Sequence, residues 1–252
     1  VQADVEGLSD IEVTIETESG PSQIMVNSSI TDLDLSKKGI HSIDLSQLQD
    51  FHNLGRLSLS YNPLQHINLR PLRTFHTLHT LRLTGCGLST IDLSPLRICE
   101  NLQQLSVAFN KLSEIDLSPL SNCKKLEILS LNRNQFKDID LRPLSSCENL
   151  KTLNISKNLL EVINLEPLQY CTNLFSLVLF ENQIQEIDLR PLGILQHLRG
   201  INLRSNRLSS IDLTPLTQFV DLKELDLREN PLHDVVIPTG TCPGLMIDEP
   251  SP

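Results

Sequence analysis

Asp44, Asp92, Asp116, Asp140, Asp188 and Asp212 occupy one place in a pattern that returns every 24 residues, with Asn68 and Asn164 in that place twice. A row of oxygen ligands suits a hard cation such as calcium. Carboxylates stacked at strand spacing also repel by about 1 kcal/mol each in water, so they need partners. Ser94 and Ser118, or Arg70, Arg142 and Arg190, lie on the same side of a short strand and can supply them. Asp and Asn readily accept from the backbone N–H groups of an adjoining turn. Capping is therefore preferred to a cation ladder, and no metal is expected.

Sulfur and imidazole offer less. Of six cysteines, Cys99, Cys123, Cys147 and Cys171 recur at the same interval, while Cys86 and Cys242 stand apart. That is not the close pairing of a zinc site. The expectation is reduced thiols that act as small buried hydrophobes. This favours a cytoplasmic location, with a secreted or cell-surface protein after signal removal as the alternative. Along the chain their slot reads Phe51, Phe75, the four cysteines, Leu195 and Phe219, so the small residues sit in the middle. His76 and His79 lie at a turn-to-strand junction and read as surface histidines. No Gly-rich phosphate loop occurs, and no Ser/His/Asp or Cys/His set stands apart from the repeat. Neither a catalytic residue nor a cofactor is expected. Asn27-Ser-Ser and Asn154-Ile-Ser match the glycosylation pattern alone and are discounted.

These residues must be positioned by the repeat itself. Its clearest copy, Leu126–Asn149, opens L-x-x-L-x-L-x-x-N with Leu126, Leu129, Leu131 and Asn134, and continues through Ile139-Asp140-Leu141, Pro143-Leu144 and Cys147. Units begin at Ile30, Leu54, Leu78, Leu102, Leu126, Leu150, Leu174 and Leu198, and a ninth at Leu222 degrades. No insertion interrupts residues 30 to 221. A period in the twenties indicates a solenoid. The alternating leucines predict a short strand with its leucines inward. The asparagine at the ninth place predicts a ladder of hydrogen bonds to its own turn and to the next unit. Ser94 and Ser118, each before a proline, read as N-caps of a helical turn. Residues 1–29 fall outside the pattern. Alternation of Ile11, Val13 and Ile15, then the Ser19-Gly20-Pro21-Ser22 turn, predicts a β-hairpin cap. The expected organisation is that cap, an array of about nine units over 30–245, and a tail or linker at 246–252.

The formal net charge of -10 argues against a nucleic-acid backbone or an anionic membrane surface as partner. No apolar run reaches the ~18–20 residues of a membrane span. The opening residues lack the basic and apolar segments of a secretory signal.

The motif L-x-x-L-x-L-x-x-N-x-L-x-x-I over residues 30 to about 235 resembles the leucine-rich repeat family. The resemblance implies an α/β fold: a right-handed solenoid or horseshoe with a concave parallel β-sheet and short helical turns on its convex side. It also implies a binding protein that uses the concave face. The convex signature I-D-L-x-P-L-x-x-C differs from the commoner endings, and no cysteine-flanked cap is present.

Function should then lie where units differ. The third, fifth, seventh and eighth positions face outward along the concave side. Most are small and polar. Phe109, Ile128, Val178 and Phe180 are apolar there, and Arg133, Lys157, Arg204 and Arg228 sit beside or beyond them, with Asn132 between. Aromatic and Arg anchors dominate protein interfaces, and an apolar patch with a polar rim suggests a partner site. The expected function is non-catalytic docking of a protein partner around these nine residues, with oligomeric state left open. The alternatives are the sensor or substrate-recognition arm of a larger enzyme or receptor, a GTPase-type regulator offering Arg204 as an arginine finger, and a structural spacer.

Overall fold

The computed structural model describes residues 10–217, 219, 222–237 and 244–248. Cys242 and part of the expected tail lie outside them. β1 (Asp10–Thr17) and β2 (Gly20–Asn27) form an antiparallel hairpin. It buries Val13 and Ile15, as their alternation requires. β1 pairs on its other side with β4 (Ile40–Ile43), which belongs to the first repeat. The Gln47 amide accepts from Thr14 N–H at 2.7 Å and donates to Thr14 C=O at 2.8 Å, closing the seam. The cap is therefore woven into the array.

The array itself carries one residue triplet per unit in strand form: β3 (Asp32–Asp34), β5 (Arg56–Ser58), β6 (Thr80–Arg82), β7 (Gln104–Ser106), β8 (Ile128–Ser130), β9 (Thr152–Asn154), β10 (Ser176–Val178), β11 (Gly200–Asn202) and β13 (Glu224–Asp226). Together with β15 (Leu245–Met246) they make a parallel sheet in that order. Register is strict, with Leu81 opposite Leu105, Leu105 opposite Leu129 and Leu129 opposite Leu153. A shift of one residue would turn these leucines to water. On the other side of each described unit from the second to the eighth, a short 3-10 turn opens on the X-Pro-Leu step, as at Ser94–Ile98 and Arg142–Ser146. β12 (Ser210–Asp212) and β14 (Asp234–Val236) make a separate two-stranded sheet near the C-terminal end.

Two details of the unit differ from expectation. The ladder asparagines reach back, not forward. Asn134 accepts from Leu112 N–H of the preceding unit at 3.1 Å, and donates to Val107 C=O of that unit at 3.1 Å and to its own Leu131 C=O at 3.0 Å. The preceding unit is the one whose turn passes beside the strand exit, so its peptide groups are the ones stranded from water. Secondly, Ser94 and Ser118 are not the caps. Each lies inside the 3-10 turn, and the capping oxygen comes from the aspartate two residues earlier. Asp92 and Asp116 accept from Ser94 N–H and Ser118 N–H at 2.8 Å. Asn68 and Asn164 do the same for Arg70 N–H and Glu166 N–H. A short carboxylate reaches the i+2 amide without strain, which is the geometry of an Asx turn.

The cysteine slot is wholly buried, and the five cysteines of the described residues are free thiols. Cys147 and Cys171 donate to Leu120 C=O and Leu144 C=O one unit back, at 3.5 and 3.4 Å. Burial pushes the Cys123 and Cys171 thiols up to about 12, and Cys86, Cys99 and Cys147 to about 11. The thiolate is the reactive form. These five thiols should therefore resist iodoacetamide at pH 8 in the folded protein and alkylate fully in denaturant, read by intact mass. Alkylation of any of the five under native conditions would contradict the burial.

Candidate functional site

The side chains that vary from unit to unit project from the sheet. In the strand, residues three and five flank an inward leucine. Ile128 therefore stands half-buried between Gln104 and Thr152, and Val178 between Asn154 and Asn202. The chain then leaves the sheet through the seventh and eighth residues. The eighth has positive φ in all nine units, from Lys37 at 57° through Gly85 at 66° to Glu229 at 59°. In the first eight units its N–H donates to the seventh-residue carbonyl of the next unit, as Phe109 does to Asn132 at 2.8 Å and Lys157 to Phe180 at 2.8 Å, and in the ninth Glu229 N–H donates to the Asp248 carboxylate. One repeated bond thus holds one repeated backbone pose, and the eighth side chains line up as a column.

The nine expected residues occupy six consecutive units but fall into distinct groups. Phe109 is 51% exposed, and the Arg133 guanidinium lies over its ring at 5.5 Å. Asn132 and Ile128 are their half-buried neighbours. Further along, the Lys157 ammonium lies over the half-buried Phe180 ring at 5.2 Å and pairs with Glu181 at 2.5 Å. Val178 ends β10, two residues before Phe180. Beyond them, Arg204 is ion-paired with Glu229, and Arg228 with Asp226 at 2.7 Å. The hydrogen bond from Arg228 holds the Asp226 carboxyl below the usual range, and those from Arg204 and Ser205 do so for Glu229. An arginine finger needs a guanidinium free to enter another site; that of Arg204 is already engaged.

The aspartate stripe is taken up by local contacts. Asp140 and Asp188 are gripped by Arg142 and Arg190, with the closest oxygens at 2.8 Å, and Asp212 caps Thr214 N–H. Their carboxyls are held low first by side-chain hydrogen bonds, from Arg142, Arg190 and the Thr214 hydroxyl in turn, and then by the backbone N–H groups of the same residues. Among the described residues, no group of three or more His, Cys, Asp or Glu side chains is placed to hold a metal ion. His76 is exposed, as read. His79 is half-buried, its ring packed on Gly55, where an added Cβ would meet Nε2 at 2.7 Å.

Two features escape the residue-by-residue reading. The first is a second ladder along the flank, where the Asn101, Asn149 and Asn173 amides donate to carbonyls 25 residues earlier at 2.8, 2.9 and 3.0 Å. Recurrence of asparagine at the unit's last place was its signal. The second is Tyr61, 52% exposed, in the eighth-residue column two units before Phe109. A Cβ on the intervening Gly85 would meet Tyr61 Cδ1 at 2.8 Å and Phe109 Cδ1 at 3.4 Å, so both rings lean over this glycine.

Comparison with known proteins agrees with this geometry. A leucine rich repeat family model matches residues 100–160 and again 124–184. No curated protein matches the chain. Among solved structures, internalin C2 from Listeria monocytogenes is similar at 24% identity and a TM-score of 0.63, over 83% of this chain and 84% of that one. The LRR ectodomain of the membrane receptor kinase GASSHO1/SCHENGEN3 from Arabidopsis thaliana, solved in complex with Casparian strip integrity factor 2, is similar at 25% identity and a TM-score of 0.72. That match covers 83% of this chain and 27% of the receptor chain. The asparagine ladder, the in-register sheet of one triplet per unit and the family match together define the class: the chain is a leucine-rich repeat protein.

Proposed function

We propose that the chain is a non-catalytic binding module that docks a protein partner on its concave face, around Phe109, Ile128, Asn132, Arg133, Lys157, Val178, Phe180, Arg204 and Arg228. The observation that carries this is the placing of two phenylalanine rings on the open sheet side, each under a cation, beside strands whose inward leucines are buried. An exposed ring beside a guanidinium or ammonium is the kind of anchor that contributes most to protein interfaces. Support also comes from the class, which generally binds proteins, and from the similar receptor ectodomain, which was solved with a bound partner. Against catalysis stand the five described thiols, all pushed away from the thiolate and sealed in the core.

The test begins with a pull-down on the purified chain and mass spectrometry of what it captures. Affinity for the captured partner is then measured with Phe180→Ala/Arg204→Ala. The expected loss is about 30-fold or more, with the melting temperature unchanged. Unaltered affinity in the double variant would remove these residues from the interface.

A further inference from the structure

Lys37, Tyr61, Gly85, Phe109 and Arg133 are the eighth residues of five consecutive units. They carry a symmetric arrangement: cation, ring, gap, ring, cation. The Lys37 ammonium lies 5.6 Å from the Tyr61 ring centroid, and the Arg133 guanidinium 5.5 Å from that of Phe109. Between them, the rings converge over Gly85, where a side chain would collide with Tyr61 at 2.8 Å. Neither Lys37 nor Arg133 has a carboxylate within ion-pairing distance among the described residues, although the chain carries ten more acidic than basic side chains. Of the other cations of the concave face, Arg56, Lys157, Arg204 and Arg228 are paired with carboxylates, and Arg82 donates to the Gln104 amide oxygen at 2.9 Å. Two cations left open in an acidic protein, at the two ends of an exposed aromatic pair, form a surface complementary to opposite charge at both ends.

The backbone adds a second argument. A side chain at positive φ costs roughly 1 kcal/mol or more relative to glycine, and Tyr61, Phe109, Lys37 and Arg133 all carry that cost at φ of 57° to 59°. The fold needs only the N–H of this position, which glycine supplies equally well in the third unit. Packing does not repay the rings, since each is half in water.

From this column we infer an extended acidic–apolar–acidic segment of a partner protein as its occupant, lying along the solenoid axis. Its apolar side chains rest on Tyr61 and Phe109, and its terminal carboxylates meet Lys37 and Arg133. Four strand spacings of ~4.8 Å, about 19 Å, separate the backbones of Lys37 and Arg133, whose charged ends reach inward over the rings, so an extended chain spans them in about six residues or fewer. The inference rests on the protein-docking reading above and gives its partner a chemistry. Single-stranded nucleic acid also uses cations and rings, but a net charge of -10, with two open cations in this column, opposes a phosphate chain.

The test uses fluorescein-labelled seven-residue peptides with glutamate at both ends and leucine, phenylalanine or proline inside, against matched peptides with lysine ends, and oligothymidylate. The expected result is binding of glutamate-ended peptides, weakened at least about tenfold in Lys37→Glu/Arg133→Glu, with preference in that variant moving to the lysine-ended set. Lys37→Gln/Arg133→Gln provides the milder change if reversal disturbs folding, and Gly85→Ala, which forces the rings apart, should weaken binding with charge unaltered. No binding of any glutamate-ended peptide, binding indifferent to both charge variants, or tighter binding of oligothymidylate would each overturn the inference. Failure of the docking reading shows elsewhere, as unchanged partner affinity in Phe180→Ala/Arg204→Ala, a pair that the column does not include.

Discussion

Asn134→Ala should lower the unfolding free energy by about 2–4 kcal/mol, although it removes only a small polar side chain. The side chain satisfies Leu112 N–H, Val107 C=O and Leu131 C=O, and it is 8% exposed. Alanine leaves Leu112 N–H without a partner in a place with little room for water, at roughly 1–3 kcal/mol, and takes one of two donors from Val107 C=O and Leu131 C=O, which keep Asn110 and Asn158, at about 1 kcal/mol more. The damage falls at the junction between the fourth and fifth units. In a solenoid, stability is close to a sum of unit and neighbour terms, so weakening a central junction should also cost cooperativity. Denaturant unfolding followed by circular dichroism should broaden or divide into two transitions. Asn68→Ala is the control: it frees only the exposed Arg70 N–H and should cost about 1 kcal/mol or less. Equal losses in the two variants would show that the ladder is not what joins the units.

Phe136→Ala should cost more, about 3–5 kcal/mol, by loss of transfer energy and creation of a cavity. Phe136 is wholly buried in a column that otherwise holds Leu112, Leu160 and other aliphatics. Phe136→Leu, which gives this unit its neighbours' side chain, should lose roughly 1.5 kcal/mol or less if the units can close up. A thermal melt of the three proteins separates the cases. If leucine is as damaging as alanine, the ring is filling a space that the repeat pattern does not explain.

The periodic part of the molecule was legible because its positions repeat chemistry as well as spacing. Leucine at three places, asparagine at the ninth and aspartate before the X-Pro step each recur and perform one task where they stand, with Lys38 and Cys86 in the ninth place of the first and third units and Asn68 and Asn164 for the aspartate twice. What was hidden depends on contact between units. The pairing of β1 with β4 follows from where the hairpin returns, which no local pattern records. The direction of the asparagine bonds depends on which neighbour's turn passes nearby. For the site, Phe109, Ile128, Val178 and Phe180 could be singled out as apolar in an outward register. That Arg204 is held by Glu229, and Lys157 by Glu181, could not be seen in either residue alone. A strict period does make such pairs calculable, because residues 24 or 25 apart are neighbours. The positive φ of the eighth residue was concealed for another reason. Lys, Tyr, Phe, Arg, Glu and Ser give no warning of it, and among nine units only Gly85 does.

The repeated bond from each eighth-residue N–H to the following unit has a consequence for how such a chain can change. Where the units keep one length, excising or copying a whole one rejoins the same donor to the same kind of acceptor, and the seam is indistinguishable from its neighbours. Deleting residues 78 to 101, for instance, would bring Tyr61 N–H to Ala108 C=O in place of Thr84 C=O, in the same geometry. The aromatic pair would then close up by one spacing and lose its glycine gap. The ruler and the marks on it are thus separable: length alters by whole graduations, and the reading at each graduation is rewritten by one side chain.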